Sequence, residues 1–339
     1  MLVNQALSES TIIDCIYKHY GIKIISLSFL PLGADINAAI YKAQAQNKSN
    51  FFVKIKRGHH SDIAITTIQL LHKAGIQQVI FPVKTIEGQP IQPLHNFTLI
   101  LYPFIEGQDG FTSTLTNEQW LKLGKTLRQV HEINVPPKIQ EQMRRESFSS
   151  KWRDIVRSLY PRIEAKPIGD KVALNLLDFM KKNIKIIQRL VDRAEYLARN
   201  LQNESHQFVF CHSDIHGGNV LIANDDNTIY IVDWDDPIMA PKERDLMFIG
   251  GGVANVWNKP QEEAVFYKGY GQIEINRTIL AYYRHERIVE DIAEYGQELL
   301  LKTVNSENRL EMYQHFVAMF EPNGVIDIAF HTDENFSSI

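Results

Sequence analysis

The sequence predicts an α+β fold, with an antiparallel-sheet N-terminal lobe over residues 1–103 and a mainly helical C-terminal lobe over residues 104–339. Three observations predict it. Before residue 104, short β-branched and aromatic runs alternate with Gly, Asn and Pro turn segments, the mark of strands. After it, apolar residues recur at helical spacing over long stretches. At 44% hydrophobic over 339 residues, the chain has enough apolar material for a core in each lobe.

Thr11–Tyr20 reads as a short amphipathic helix closed by Gly21. Ile22–Leu30, Ala39–Ala45 and Phe51–Lys56 follow as strands, joined by Leu32–Asn37 and Asn47–Asn50 into an antiparallel meander. Ser61–Ala74 is a helix with Ser61 as N-cap and Gly75 beyond its end. Val79–Lys84 and Thr98–Phe104 are two further strands. Thr116-Asn-Glu-Gln119 fits a capping box, and Trp120, Leu123, Leu127 and Val130 form the core stripe of the helix that follows. Trp152–Tyr160 and Val172–Leu201 are helices, broken by Pro161 and Pro167; Lys181, Lys182 and Lys185 mark a solvated face. Phe208–Cys211, Val220–Ala223 and Ile229–Val232 are short strands inside this helical half, with a turn at Asn224–Asn227. Phe248–Trp257 carries three glycines in an apolar stretch and reads as either a bend or a helix crossing. Helices at Gln261–Tyr270, Thr278–Leu301 and Asn308–Phe320 complete the chain. Glu286, Glu290 and Glu294, with Asp291 beside them, read first as a solvated helix face with Arg284 and Arg287 as partners.

Composition excludes several classes. A net charge of −4 argues against a general nucleic-acid or anionic-membrane binder. No apolar run approaches the roughly 20 residues of a membrane span, and Met1–Ser10 is polar, without a signal-peptide core. Two cysteines, Cys15 and Cys211, build no disulfide framework and fit a reducing, cytoplasmic setting. Nothing in the sequence suggests a protein partner.

The chemistry concentrates between His212 and Asp236. His212-Ser-Asp214-Ile-His216-Gly-Gly-Asn219 lies between two strands, and a further strand runs into Asp233-Trp-Asp235-Asp236. Oxygen donors from Asn219 and Asp233 suit a hard cation such as magnesium. Asp214 stands five residues before Asn219 on the same loop, and Gly217 and Gly218 allow a tight turn between them. His212 reads as structural, and His216 as a loop residue outside the chemistry.

His-x-Asp-x-x-x-x-Asn followed by a strand ending in Asp resembles the aminoglycoside phosphotransferase family of small-molecule kinases, which share the bilobal fold of protein kinases. Trp234 and Asp235 replace the Phe and Gly of a protein kinase. The resemblance implies ATP and Mg2+ as cofactors, Asp214 as the catalytic group, and Asn219 and Asp233 as metal ligands. It makes residues 1–103 the nucleotide-binding lobe and residues 104–339 the lobe of the catalytic loop and the acceptor-binding helices. Phe52-Val-Lys54-Ile-Lys56 is similar to the kinase strand whose Lys grips the α- and β-phosphates, with Lys54 preferred and Lys56 on the same face. The Ser61–Ala74 helix holds no Glu to pair with that Lys; Asp62 is its only acid. The Gly33 loop, with Asp35 and Asn37, falls short of a glycine-rich phosphate loop. Tyr102-Pro103-Phe104-Ile105 resembles the segment joining kinase lobes, where main-chain groups meet adenine; Pro103 has no N–H, which leaves a neighbour such as Ile105 as donor. Asp245 matches the family's structural Asp that braces the catalytic loop.

A closer resemblance runs through Pro241–Val253, Asn255–Pro260 and Tyr282–Asp291, to the spectinomycin phosphotransferases. It implies transfer of phosphate to a hydroxyl of an aminocyclitol antibiotic, and hence antibiotic resistance. Asp235, Asp236, Glu290 and Asp291 are then the carboxylates for a small cationic acceptor. Three other readings use the same residues: a housekeeping kinase of the choline, homoserine or sugar-amine type, a catalytically weak nucleotide-binding protein, and a metal-dependent hydrolase built on His212, Asp214, His216 and Asp233.

Overall fold

The computed structural model describes residues 7–31, 38–58, 62–165, 168–224, 228–302 and 308–334. It divides into two compact units that are discontinuous in sequence. One comprises residues 1–108, 134–142 and 220–237; the other comprises 109–133, 143–219 and 238–339.

The first unit begins with helix α1 (Glu9–Tyr20), started by the Ser8 side chain, which accepts the Thr11 N–H, and ended by Gly21 at φ 69°. Its apolar face, Ile12, Cys15, Ile16 and Tyr20, packs on the inner residues of a sheet. That sheet has the order β1 (Ile24–Leu30), β2 (Ala38–Ala45), β3 (Asn50–Arg57), β5 (Phe97–Pro103), β4 (Gln92–Leu94), antiparallel throughout. The meander read from the sequence is present, and its second turn places Lys48 at φ 69°, with Asn47 Oδ1 accepting the Ser49 N–H. Helix α2 (Asp62–Lys73) follows β3. The Gly33 loop with Asp35 and Asn37, the Ser61 cap and Asp225–Asp226 lie outside the described residues, as does the Asp62 side chain.

Val79–Lys84 is not a strand. The edge of β5 is taken by β4, and Pro82 deprives the segment of a donor. The segment keeps single bonds, such as Val83 N–H to Leu101 O at 2.7 Å. A second small sheet has the order β10 (Ile229–Ile231), β9 (Val220–Ala223), β6 (Gly107–Asp109).

The second unit is mainly helical. Helix α3 (Asn117–His131) starts with the expected capping box of Thr116 and Gln119, and Trp120, Leu123, Leu127 and Val130 are all buried. A single turn, α4 (Pro137–Gln140), belongs to the first unit. Helix α5 (Lys151–Glu164) passes through Pro161 instead of stopping at it; that residue is exposed and lies in the last turn, where few helical hydrogen bonds remain to be lost. The expected Val172–Leu201 helix is two, α6 (Lys171–Lys182) and α7 (Ile184–Gln202). Asn183 divides them: its backbone and side-chain N–H groups both donate to Phe179 O, while its carbonyl accepts Ile186 and Ile187 N–H. A three-stranded sheet of β7 (Arg144–Arg145), β11 (Ile238–Ala240) and β8 (Val209–Cys211) follows. The remaining helices are α8 (Glu243–Leu246), α9 (Pro260–Tyr270), α10 (Arg277–Gly296), α11 (Arg309–Ala318) and α12 (Val325–Glu334). Strand β11 and helix α12 carry no signal that the sequence reading used. α10 runs through the core, its Ile288, Val289, Ile292 and Ala293 packed with residues of α5, α6, α7 and α12. Gly250 and Gly252 take φ 69° and 74°, so the Phe248–Trp257 stretch is a bend, not a helix crossing. No helix among the described residues is long and apolar enough to cross a membrane.

Candidate active site

The first unit holds a cluster of lysines and aspartates. Strand alternation puts Lys54 and Lys56 on one face of β3, and both reach the same carboxylate. Lys54 Nζ donates to Asp235 Oδ2 at 2.7 Å and Asp233 Oδ1 at 3.1 Å, and Lys56 Nζ donates to Asp235 Oδ2 at 2.7 Å. The aspartates leave β10 through a turn with Asp233 at φ 62°, and the buried Trp234 pins it by donating its indole N–H to Ile231 O at 2.9 Å. Burial opposes the Lys54 charge, but Asp235 and Asp233 outweigh it and hold the ammonium above its ordinary range. Burial likewise opposes ionisation of Asp235, and Lys54 and Lys56 overcome it, so that carboxyl lies well below its ordinary range. The acid that the sequence sought for Lys54 in α2 is thus supplied by the end of β10.

At the end of β5, Tyr102 is half-buried edge-on against Phe52, and burial pushes its phenol well above its ordinary range. Pro103 is exposed, and Phe104 spends its N–H on Asn50 O at 3.1 Å. Lys42 covers the Phe104 ring, 4.2 Å from its centroid, and pairs with Glu106 at 2.6 Å.

The second unit contributes the loop after β8. Its first two backbone N–H groups, of His212 and Ser213, donate to the Asp245 carboxylate at 2.9 and 2.7 Å. Asp245 is fully buried, and His131 meets its Oδ2 through Nε2 at 3.0 Å, with the Tyr270 hydroxyl 2.6 Å from the other ring nitrogen. Asp245 therefore braces the loop, as the resemblance implied. Burial raises the cost of its charge, yet these donors hold the carboxyl below its ordinary range. Ser213 takes φ 80° in this turn.

Asp214 follows. Its own N–H donates to His212 Nδ1 at 3.2 Å, which gives His212 a structural task. Arg287 Nη1, from α10, donates to Asp214 Oδ1 at 2.6 Å, and His216 Nε2 stands 3.3 Å from Oδ2. Burial alone would raise the Asp214 pKa; the bond from His216 and the charge of Arg287 reverse that and hold it well below its ordinary range. His216, expected to stand outside the chemistry, therefore touches the central carboxylate. Its ring stacks on Phe111, and its Nδ1 accepts Gly218 N–H at 3.0 Å. Gly217 and Gly218 are not needed for a left-handed turn. They are needed for closeness, since a Cβ at either would stand 2.8 or 2.7 Å from the Phe111 ring.

Asn219 donates its amide to Asp214 O at 2.8 Å, which turns its carbonyl oxygen away from that bond. The Asp233 carboxylate, 51% exposed, is held at one oxygen by Lys54. An amide oxygen, as on Asn219 in the second unit, and an accessible carboxylate, as on Asp233 in the first, are the donor types that a magnesium ion takes.

The acidic row on α10 is not a solvated face. Glu286 is buried and paired with Arg153, and burial pushes its carboxyl up to about 7. Asp291 pairs with Arg287 at 3.1 Å, with burial pushing it up to about 6 against that charge. Glu290 is half-buried, and Glu294 is exposed. Arg284 serves backbone instead of the acids, donating to Ile249 O at 2.8 Å and Met247 O at 3.3 Å. A pocket within this unit has Asp291 and Arg287 in its wall together with Met247, Ala254, Met319 and Val325. Asp236 is exposed at the end of the aspartate run. The ring nitrogens Nδ1 of His212 and of His216 are both spent on backbone N–H groups, which disfavours the metal-hydrolase ligand set.

Residues 28–277 match the model of the phosphotransferase enzyme family. No curated protein matches the sequence. Among solved structures, the chain is similar to spectinomycin phosphotransferase APH(9)-Ia in complex with ADP and spectinomycin: 50% identity, coverage of 97% of this chain and 99% of that one, TM-score 0.92. The AMP-bound complex of the same enzyme gives 48% identity, coverage of 96% and 99%, and TM-score 0.88. An amicoumacin kinase in complex with AMP-PNP, Ca2+ and Ami, 16% identical over 96% of this chain and 95% of that one at TM-score 0.63, shares the fold.

Proposed function

This chain belongs to the phosphotransferase enzyme family, and from that premise we propose that it transfers the γ-phosphate of ATP to a hydroxyl of an aminocyclitol antibiotic, spectinomycin, so that its action confers resistance. The observation that carries the substrate is the 50% identity, over nearly the whole of both chains, to an enzyme solved with ADP and spectinomycin.

The residue roles belong to the same proposal. Lys54 meets the nucleotide phosphates, exchanging the Asp235 carboxylate for phosphate oxygens. The Tyr102–Ile105 segment takes the adenine edge. Phe104 N–H is already used, and Pro103 has none, so Ile105 N–H is the donor. Asn219 and Asp233 hold magnesium, which when bound neutralises charge on the phosphates. Asp214 orients the acceptor hydroxyl and receives its proton. Glu290 and Asp291 attract the acceptor's amines. Asp236 and Asp235 complete that acidic set, although Asp235 is engaged by two lysines before nucleotide arrives. A lobe boundary near residue 103 separates the nucleotide and acceptor functions in this reading.

The test is ATP-dependent ADP release by the purified chain with spectinomycin, choline, homoserine and a hexosamine as acceptors. Turnover with spectinomycin well above the others supports the proposal. Turnover with choline or homoserine and none with spectinomycin transfers the chain to the housekeeping reading.

A further inference from the structure

Each oxygen of the Asp214 carboxylate is met by a different side chain. Arg287 Nη1 donates to Oδ1 at 2.6 Å, and His216 Nε2 stands 3.3 Å from Oδ2. The guanidinium is itself confined. Asp291, one turn further along α10, pairs with Arg287 Nε at 3.1 Å, and the Phe248 ring centroid lies 5.7 Å from the guanidinium carbon. Arg287 is 18% exposed, while Asp214 is 42% exposed and so accessible to a substrate. His216 is confined in the same way, stacked on Phe111 at 5.1 Å with its Nδ1 spent on Gly218 N–H.

An Asp on a loop ordinarily samples several rotamers, and each carboxylate oxygen has two lone-pair directions. A planar guanidinium ion-paired with Asp291 favours one orientation of the carboxylate, with a second lone pair on each oxygen for a hydroxyl. Phosphoryl transfer asks the protein for positioning more than for covalent chemistry. A misplacement of about 1 Å costs on the order of 10²-fold in rate.

We propose that Arg287 is a positioning residue for the phosphotransfer, holding the Asp214 carboxylate in the orientation that receives the acceptor hydroxyl, and that Asp291 orients Arg287 in turn. The proposal rests on the reading of Asp214 as the group that orients that hydroxyl.

The test compares Arg287→Ala, Arg287→Lys, Asp291→Asn and Asp214→Ala. The expected result for Arg287→Ala is a kcat reduced on the order of 10²-fold, with the KM for ATP within about twofold of wild type. Arg287→Lys, which keeps the charge and the stem but loses the fork, recovers part of that loss. Added guanidine at millimolar concentration restores turnover to Arg287→Ala and leaves Asp214→Ala unchanged, an outcome a merely structural role does not produce. Asp291→Asn loses severalfold in kcat.

A folded Arg287→Ala with wild-type kcat beside an inactive Asp214→Ala overturns the positioning role alone. A slow Arg287→Ala that neither guanidine nor the Lys variant improves overturns it in favour of a packing role. Should the Ala variant not fold, Arg287→Lys decides: wild-type kcat in that variant overturns the need for a fork, and a partial loss supports it. Full turnover in Asp214→Ala removes the underlying reading of Asp214 instead.

Discussion

Asp235 in the first unit and Asp214 in the second are both carboxylates held by cations, and the cations differ in kind. Asp235 takes two ammonium groups on one oxygen, each 2.7 Å away. Asp214 takes one guanidinium, which is itself ion-paired with Asp291. An ammonium is a point charge on a flexible stem, and any comparable oxygen replaces its partner. A guanidinium pinned at one edge keeps its direction. On the roles proposed above, the Lys54 cluster would change partners when a phosphate arrives, whereas the Arg287 pair would stay.

The comparison breaks most visibly at Lys54. Lys54→Met is expected to raise the KM for ATP by roughly ten- to a hundredfold, the ~1.4–2.8 kcal/mol of a lost charge-assisted contact. Lys56→Met should change it by less than about threefold, since its loss leaves Lys54 and the Lys54 bonds to Asp233 and Asp235 in place. Steady-state kinetics at varied ATP separates them, and equal effects would mean that the two lysines share the phosphate.

A step smaller, Glu290→Gln should raise the acceptor KM about tenfold, which is ~1.4 kcal/mol, and leave the KM for ATP alone. An unchanged acceptor KM would remove Glu290 from the acceptor set.

The smallest effect is on stability, and its sign separates the two units. Asp291 is pushed up to about 6 by burial, so the folded chain holds that proton more tightly than the unfolded one. Its contribution is complete below the unfolded carboxylate value of about 3.9 and is lost as pH rises through about 6. Asp235, held down by Lys54 and Lys56, contributes in the opposite sense, above the unfolded value, and loses it as pH falls. Urea unfolding at pH 5 and pH 7.5 should therefore show wild type losing ground to Asp291→Asn at the higher pH. A gap that does not move with pH would place the Asp291 proton elsewhere.

The strands, the helices and the central motif were legible because their signals are local. Asp214, Asn219 and Asp233 carry a spacing, β1 to β3 carry alternation and turns, and α3 carries its cap and stripe. Asp245 was legible only through the resemblance, and its bonds to His212 and Ser213 N–H give the physical reason. What stayed hidden was set by packing between distant segments. Nothing near Lys54 in the sequence points to Asp235, and nothing near Asp214 points to Arg287. The acidic row of α10 has the periodicity of a solvated face, yet Glu286 lies in the core because Arg153 of α5 meets it there. Val79–Lys84 has strand composition but no free edge to join, since the short Gln92–Leu94 strand occupies it. A signal did exist for His216: it shares the loop with Asp214 two residues away, and a histidine at that distance reaches back to a carboxylate as readily as to solvent.

If Asp214 orients the acceptor for transfer of the γ-phosphate of ATP to a hydroxyl of spectinomycin, a single turnover with γ-labelled ATP and spectinomycin reads it, run on wild type and on Asp214→Asn with nucleotide affinity measured alongside. The account predicts label on the aminocyclitol with wild type, and transfer slowed by on the order of 10²–10⁴ in the variant, with nucleotide affinity kept. Label released as phosphate with none on spectinomycin, or transfer by the variant at the wild-type rate, would contradict it.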